Sequence, residues 1–237
     1  MQLKIARDAQ RAAEIAAAEI ANACADAVAI RGMALIALSG GETPWLMARE
    51  LGRHDLPWRY IFVAQVDERV APRAAAARNL TRLEQILVHE GPLPAANLLP
   101  MPVEAADVED AAAEYQRRLE SRAGTPLVLD LVQLGLGADG HTASLVPGDP
   151  VLAVRDRDVA VTGAYQERRR MTLTLPAIDR ARRRLWLVTG RAKRAPLAEL
   201  LAGTGVSPAP EVSRANAIVV ADEDAAGPDV SGRPHCG

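Results

Sequence analysis

The chain is 237 residues long, 49% hydrophobic and 24% charged, which provides for a sizeable core and excludes a disordered polymer. Its 28 basic and 30 acidic side chains are interspersed and sum to −2, without the basic footprint of a nucleic-acid binder. Two cysteines (Cys24, Cys236) build neither a disulfide framework nor a zinc site, no apolar stretch reaches spanning length, and the N-terminus lacks a signal-peptide core; a cytoplasmic protein is expected.

Residues 6–30 repeat alanine, isoleucine and charge at helical spacing and predict one long amphipathic helix. An apolar run at 33–38 follows and ends in Ser39-Gly40-Gly41, with Pro44 suited to the first turn of a new helix. The same grammar continues with a strand-like run at 60–66, a helix at 79–89, a long helix at 103–122 and a buried strand at 127–134. Strand-like runs at 159–162, 171–175, 185–189 and 217–220, with a helix at 191–201, complete the series. Apolar strands alternating with helices predict an α/β fold built on a mostly parallel sheet covered on both faces. One domain is expected over residues 1–226, with a loop at 203–210 and a frayed tail at 227–237.

Ligands of such sheets bind at the carboxyl ends of the strands. Three segments place unusual residues there. Ser39-Gly40-Gly41 precedes a helix start and reads either as a tight βα turn or as an anion site made of backbone N–H groups. Val66-Asp67-Glu68-Arg69 ends a strand-like run, so Arg69 and an acidic neighbour face either solvent or a ligand. The third, Gly135 to Ser144, contains the dinucleotide pattern G-x-G-x-x-G, but Pro147, Gly148 and Pro150 cut short any helix after it, which disfavours a nicotinamide cofactor. His141 stands in this turn with Asp139 two residues away, where an imidazole can be oriented as a general base near neutral pH. The arginine clusters 168–170 and 182–184 read as solvated loops, either of which could lend a residue to a phosphate.

SGGETP (39–44), DER (67–69) with Asn79, GLGADGHTASLVPG (135–148), RMTLTLP (170–176) and VTGRAK (188–193) together, in this order, resemble the 6-phosphogluconolactonase family. The resemblance implies a Rossmann-like α/β/α sandwich and hydrolysis of a sugar-phosphate lactone, 6-phosphogluconolactone, to 6-phosphogluconate. It implies His141 as general base, Arg69 at the developing charge or the sugar acid, and Asp67 and Asp139 organising the site. Ser39, Gly40, Gly41 and Lys193 would cradle the phosphate, with Arg170 a further candidate. No metal, cofactor, nucleic acid or membrane is implied, and the oligomeric state stays open, a monomer being compatible. Two departures stand out: Glu42 replaces a small serine beside the phosphate loop, and Val146 replaces phenylalanine. Related deaminases of glucosamine-6-phosphate carry glutamate in the slot of Val146, so valine favours the lactonase over the deaminase. A non-catalytic sugar-phosphate sensor on the same fold is the remaining alternative. It would need the basic cluster in a pocket without His141.

Overall fold

The computed structural model describes residues 1–73 and 75–231, the side chains of 229–231 excepted. Its strands are β1 (Gln2–Ala6), β2 (Ala34–Leu38), β3 (Ile61–Gln65), β4 (Asp67–Arg69), β5 (Leu98–Leu99), β6 (Leu131–Leu134), β7 (Val159–Val161), β8 (Arg170–Leu173), β9 (Arg183–Val188) and β10 (Ala217–Asp222). The helices are α1 (Ala9–Arg31), α2 (Glu42–Gly52), α3 (Asn79–Leu83), α4 (Val108–Ala123), α5 (Leu175–Arg180), α6 (Arg194–Ala202) and α7 (Glu223–Ser231). A π-helical turn, Glu84–His89, extends α3.

Seven strands form the central sheet in the order β1-β10-β9-β6-β2-β3-β5, with every neighbouring pair parallel. Side chains along a strand alternate between faces, and the apolar runs therefore feed two cores. Leu35, Ala37, Val132, Leu134, Trp186 and Val219 join the core under α4, α5 and α6. Ala34, Ile36, Leu38, Leu131, Leu185 and Val220 join the one under α1, α2 and α3. In α1 the alanines 12, 13, 16, 17, 21 and 23 are buried at helical spacing, so the helix lies close on the sheet. The Asp8 carboxylate caps its start by accepting from Arg11 N at 2.7 Å, and Gly32 ends it with φ +78°.

The structure departs from the sequence reading in several places. The long helix begins at Ala9, because residues 2–6 form edge strand β1 on β10. That strand is five residues of mixed polarity beside a much stronger helical repeat. Of the strand expected at 127–134, only Leu131–Leu134 is paired in the sheet. The runs at 159–162 and 171–175 leave the main sheet and pair antiparallel with β4 as a separate sheet, β4-β8-β7. At the C-terminus α7 is broken at Gly227 (φ +67°) and its second part ends at Ser231; the rest of the tail, Cys236 included, lies outside the described residues.

β4 carries the next constraint. Glu68, fully buried, accepts from Arg69 N (2.9 Å), Asn79 N (2.9 Å), Leu80 N (2.8 Å) and Gln65 Nε2 (2.8 Å). Arg78, also buried, lies with Nε 3.0 Å from Glu68 Oε2. One carboxylate thus joins the end of β3, the whole of β4 and the start of α3. Removing one partner of a buried ion pair typically costs about 3–5 kcal/mol. Glu68→Ala is expected to lose stability on that scale, read as a fall in the urea midpoint at an unchanged slope.

Candidate active site

Chain order along the sheet reverses between β2 and β6: from β2 it proceeds outward to β3 and β5, and from β6 back through β9 and β10. A crevice forms at such a reversal. Here it is a cleft of about 830 Å³ at the carboxyl ends of the strands, lined by Ser39, Gly40, Gly41, Asp67, Arg69, His141, Arg170 and Lys193. Asp139 stands behind His141. All nine candidate residues therefore come together, although they span positions 39 to 193.

The glycine turn follows β2. Gly41, with φ +137°, is the N-cap of α2 and has no side chain to satisfy the first N–H groups of that helix, which remain available to an anion. A Cβ on Gly40 would fall 2.0 Å from Asn79 Oδ1, so only glycine fits between the loop and α3. Ser39 lines the cleft differently from the expectation. Its hydroxyl is 3.0 Å from both O and Oε1 of Gln133, and its N–H donates to Oε1 at 3.1 Å. It fixes the loop to β6 and has no hydrogen left for a ligand. Glu42 is exposed at the rim of the cleft. Lys193 approaches from the turn after β9, half-buried; burial lowers its pKa, opposed by the charge of Asp139. That turn is held by Asp222, whose oxygens accept from Gly190 N at 2.9 and 3.0 Å. Thr43 and Thr189 bridge the glycine turn and the lysine turn, hydroxyl to hydroxyl at 2.6 Å.

β4 forms the opposite wall. Arg69 Nη1 donates to Ala77 O (2.7 Å) and Asn79 Oδ1 (3.3 Å), while Asn79 Nδ2 donates to Asp67 O at 3.0 Å. Asp67 is buried, and this pushes its carboxyl pKa up despite the Ser144 hydroxyl donating at 2.6 Å and the nearby Arg170 charge. Arg170, on β8, is buried with Nη1 4.0 Å from Asp67 Oδ2, and its Nε has no hydrogen-bond partner among the described residues. Of the two arginine clusters, it alone reaches the cleft. Arg169 pairs with Glu109, Arg182 with Asp130 and Arg183 with Asp26, while buried Arg184 donates to the carbonyls ending α5.

After β6 the chain makes tight turns rather than a helix, so the dinucleotide pattern lacks the element that would give it meaning. Gly137 N donates to His141 O (2.8 Å) and Gly140 N to Gly137 O (3.1 Å). His141 Nδ1 lies 2.5 Å from Asp139 Oδ1, which also accepts from His141 N at 3.2 Å. A Cβ on Gly137 would sit 2.1 Å from His141 Nδ1, so this glycine makes room for the imidazole. Partial burial raises the Asp139 pKa, but the hydrogen bonds and charge of His141 and the Tyr165 hydroxyl outweigh it and hold the carboxyl below its ordinary range. Val146 is buried and stands outside the lining of the cleft.

The sequence reading missed three contributors. Ser144 lies inside the motif block but reveals its bond to Asp67 only once β4 and the turn are adjacent. Gln133 faces inward from a strand. Tyr165 sits in an irregular segment with no motif, yet its hydroxyl reaches Asp139 Oδ2 at 3.1 Å.

Residues 7–220 match the family model described as glucosamine-6-phosphate isomerases/6-phosphogluconolactonase. The chain is 41% identical to a 6-phosphogluconolactonase of Synechocystis sp., over 74% of this chain and 75% of that one. It is 35% identical to that of Streptomyces coelicolor over 95% and 93% of the two chains. A solved 6-phosphogluconolactonase from Trypanosoma cruzi matches with a TM-score of 0.85 at 25% identity, covering 95% of each chain. With the motif turns meeting at one sheet edge and the match running nearly end to end, the chain belongs to the glucosamine-6-phosphate isomerase/6-phosphogluconolactonase family.

Proposed function

We propose that the chain hydrolyses 6-phosphogluconolactone to 6-phosphogluconate, with His141 as general base. The observation that carries this reading is the placement of the Asp139–His141 pair and the Gly40-Gly41/Lys193 turns in one cleft. Asp139 occupies Nδ1 of the imidazole and leaves Nε2 to take a proton from water. The water oxygen then bonds to the lactone carbonyl carbon, and Arg170 or Arg69 receives the charge that develops on the carbonyl oxygen. Collapse breaks the bond to the ring oxygen, which takes the proton back from the imidazolium; the free acid ionises. The phosphate docks against the amides opening α2 and against Lys193, with Ser39 shaping the loop through Gln133. No metal or cofactor enters these steps. A cytoplasmic setting belongs to the same proposal.

Two observations weigh against the alternatives. A sensor needs the basic cluster but not the histidine, and here both face the same cleft. A deaminase needs a carboxylate five residues after the histidine, where this chain has the buried Val146.

General-base assistance contributes about a hundred- to ten-thousand-fold in rate. His141→Ala or His141→Asn is therefore expected to lower kcat on that scale with little change in 6-phosphogluconate binding. A coupled assay on freshly generated lactone, corrected for spontaneous hydrolysis, gives the rate; near-full activity would make His141 structural. Lys193→Ala should raise KM for the phosphorylated lactone while sparing the slow reaction of an unphosphorylated one, and equal losses on both would refute its phosphate role. The unmodified protein should release no ammonia from glucosamine-6-phosphate. Ammonia at enzymatic rates would overturn the lactonase assignment.

A further inference from the structure

Tyr165 lies at the start of the four-residue turn joining β7 to β8. Tyr165 N donates to Arg168 O at 3.0 Å, Arg168 N to Tyr165 O at 3.3 Å, and between them Gln166 and Glu167 have φ of +52° and +64°. Two consecutive left-handed residues match a type I′ turn, a conformation that non-glycine side chains adopt only at a cost. What this turn delivers is contact with the catalytic pair. The Tyr165 hydroxyl is 3.1 Å from Asp139 Oδ2, the oxygen that His141 does not use. Its ring meets the imidazole edge-on, centroids 5.7 Å apart at 60°. The guanidinium carbon of Arg170 stands 5.0 Å from the ring centroid, and Arg170 Nη2 donates to Gln166 Oε1 at 3.1 Å. The tyrosine is thus held by the buried arginine and in turn holds the half-exposed aspartate.

We propose that Tyr165 is a positioning residue for the Asp139–His141 pair: its hydroxyl anchors one oxygen of Asp139 so that the other keeps His141 as the Nδ1–H tautomer with Nε2 free. The inference rests on the reading of His141 as the base. Asp139 needs such an anchor because it stands on a tight turn between two glycines, Gly137 and Gly140, with its side chain partly in water. Without a donor on Oδ2 the carboxylate can rotate and the imidazole can take either tautomer. Burial and the bond to Asp139 both raise the phenol pKa, so the hydroxyl remains a donor across the neutral range. The arrangement also links the two halves of the cleft, because Arg170, which contacts Asp67 on β4, is the group that backs the tyrosine.

The test is Tyr165→Phe, which keeps the ring and its packing and removes only the hydroxyl. Long-range proton–nitrogen NMR of the imidazole, assigned by comparison with His141→Ala, should show the Nδ1–H tautomer in the unmodified protein and a mixture of tautomers in Tyr165→Phe. In kinetics, kcat is expected to fall about three- to tenfold, the net scale of a single ordinary hydrogen bond, with KM changed less than about twofold. In an Asp139→Asn background the same substitution should cost almost nothing, because the two residues act as one unit. An unchanged tautomer, or an equal loss in both backgrounds, overturns the proposal. The NMR measurement needs no turnover, so it decides the role of Tyr165 even if His141→Ala retained activity and the base had to be sought elsewhere.

Discussion

A charged carboxylate with no exposed surface sets the shape of this cleft. Moving such a group out of water costs several kcal/mol, and it is tolerated only when its oxygens are met by well-placed donors. Glu68 finds them in three backbone amides and a glutamine drawn from β3, β4 and α3, with the buried Arg78 guanidinium beside it as an ion-pair partner. Because these donors span residues 65 to 80, satisfying one side chain folds the intervening loop. The consequence reaches both walls: Arg69 is pinned by its own amide, and Asn79 is fixed where it can pack against Gly40 and hold Asp67. The side chain in DER that does not line the cleft is the one that positions its two neighbours.

The parallel sheet was legible because buried strands are nearly continuous apolar runs and the helices between them keep a strong 3.6-residue period. The candidate residues were legible for a different reason. Glycines, a histidine and charged side chains directly after apolar runs have few structural explanations at a strand end. What escaped was whatever depends on a partner distant in sequence. β1 needs β10 beside it before five residues of mixed polarity become a strand. β4, β7 and β8 read as parts of the parallel pattern, and only their pairing shows a separate antiparallel sheet. Ser39 stands in the glycine-turn motif, but its hydroxyl is engaged by Gln133, 94 residues away in sequence and on the neighbouring strand β6. Tyr165 gave no signal at all, since a lone aromatic in an irregular segment is ordinarily packing.

Charge in the cleft is divided rather than uniform. Arg69, Arg170 and Lys193 face the interior, and Asp67 and Asp139 lie beside or behind them, engaged by hydrogen bonds. The cations suit a phosphorylated sugar acid, while the two carboxylates are engaged with groups of the cleft wall. Glu42 is the exception, an exposed acid on the rim next to the helix start. Its solvent exposure keeps the repulsion weak through screening, and the favourable interaction of a carboxylate with a helix N-terminus explains why α2 can accept it.

The bond between Thr43 and Thr189 has a consequence for kinetics of encounter. It joins the first turn of α2 to the end of β9 across 146 residues of sequence, and so fixes the spacing between the amide cradle and the lysine turn before any ligand arrives. A receptor assembled in advance sacrifices its internal freedom during folding. In the proposed reaction an arriving phosphate would have little left to organise, and its capture would be governed by diffusion, long-range attraction and loss of hydration rather than by a slow closing motion.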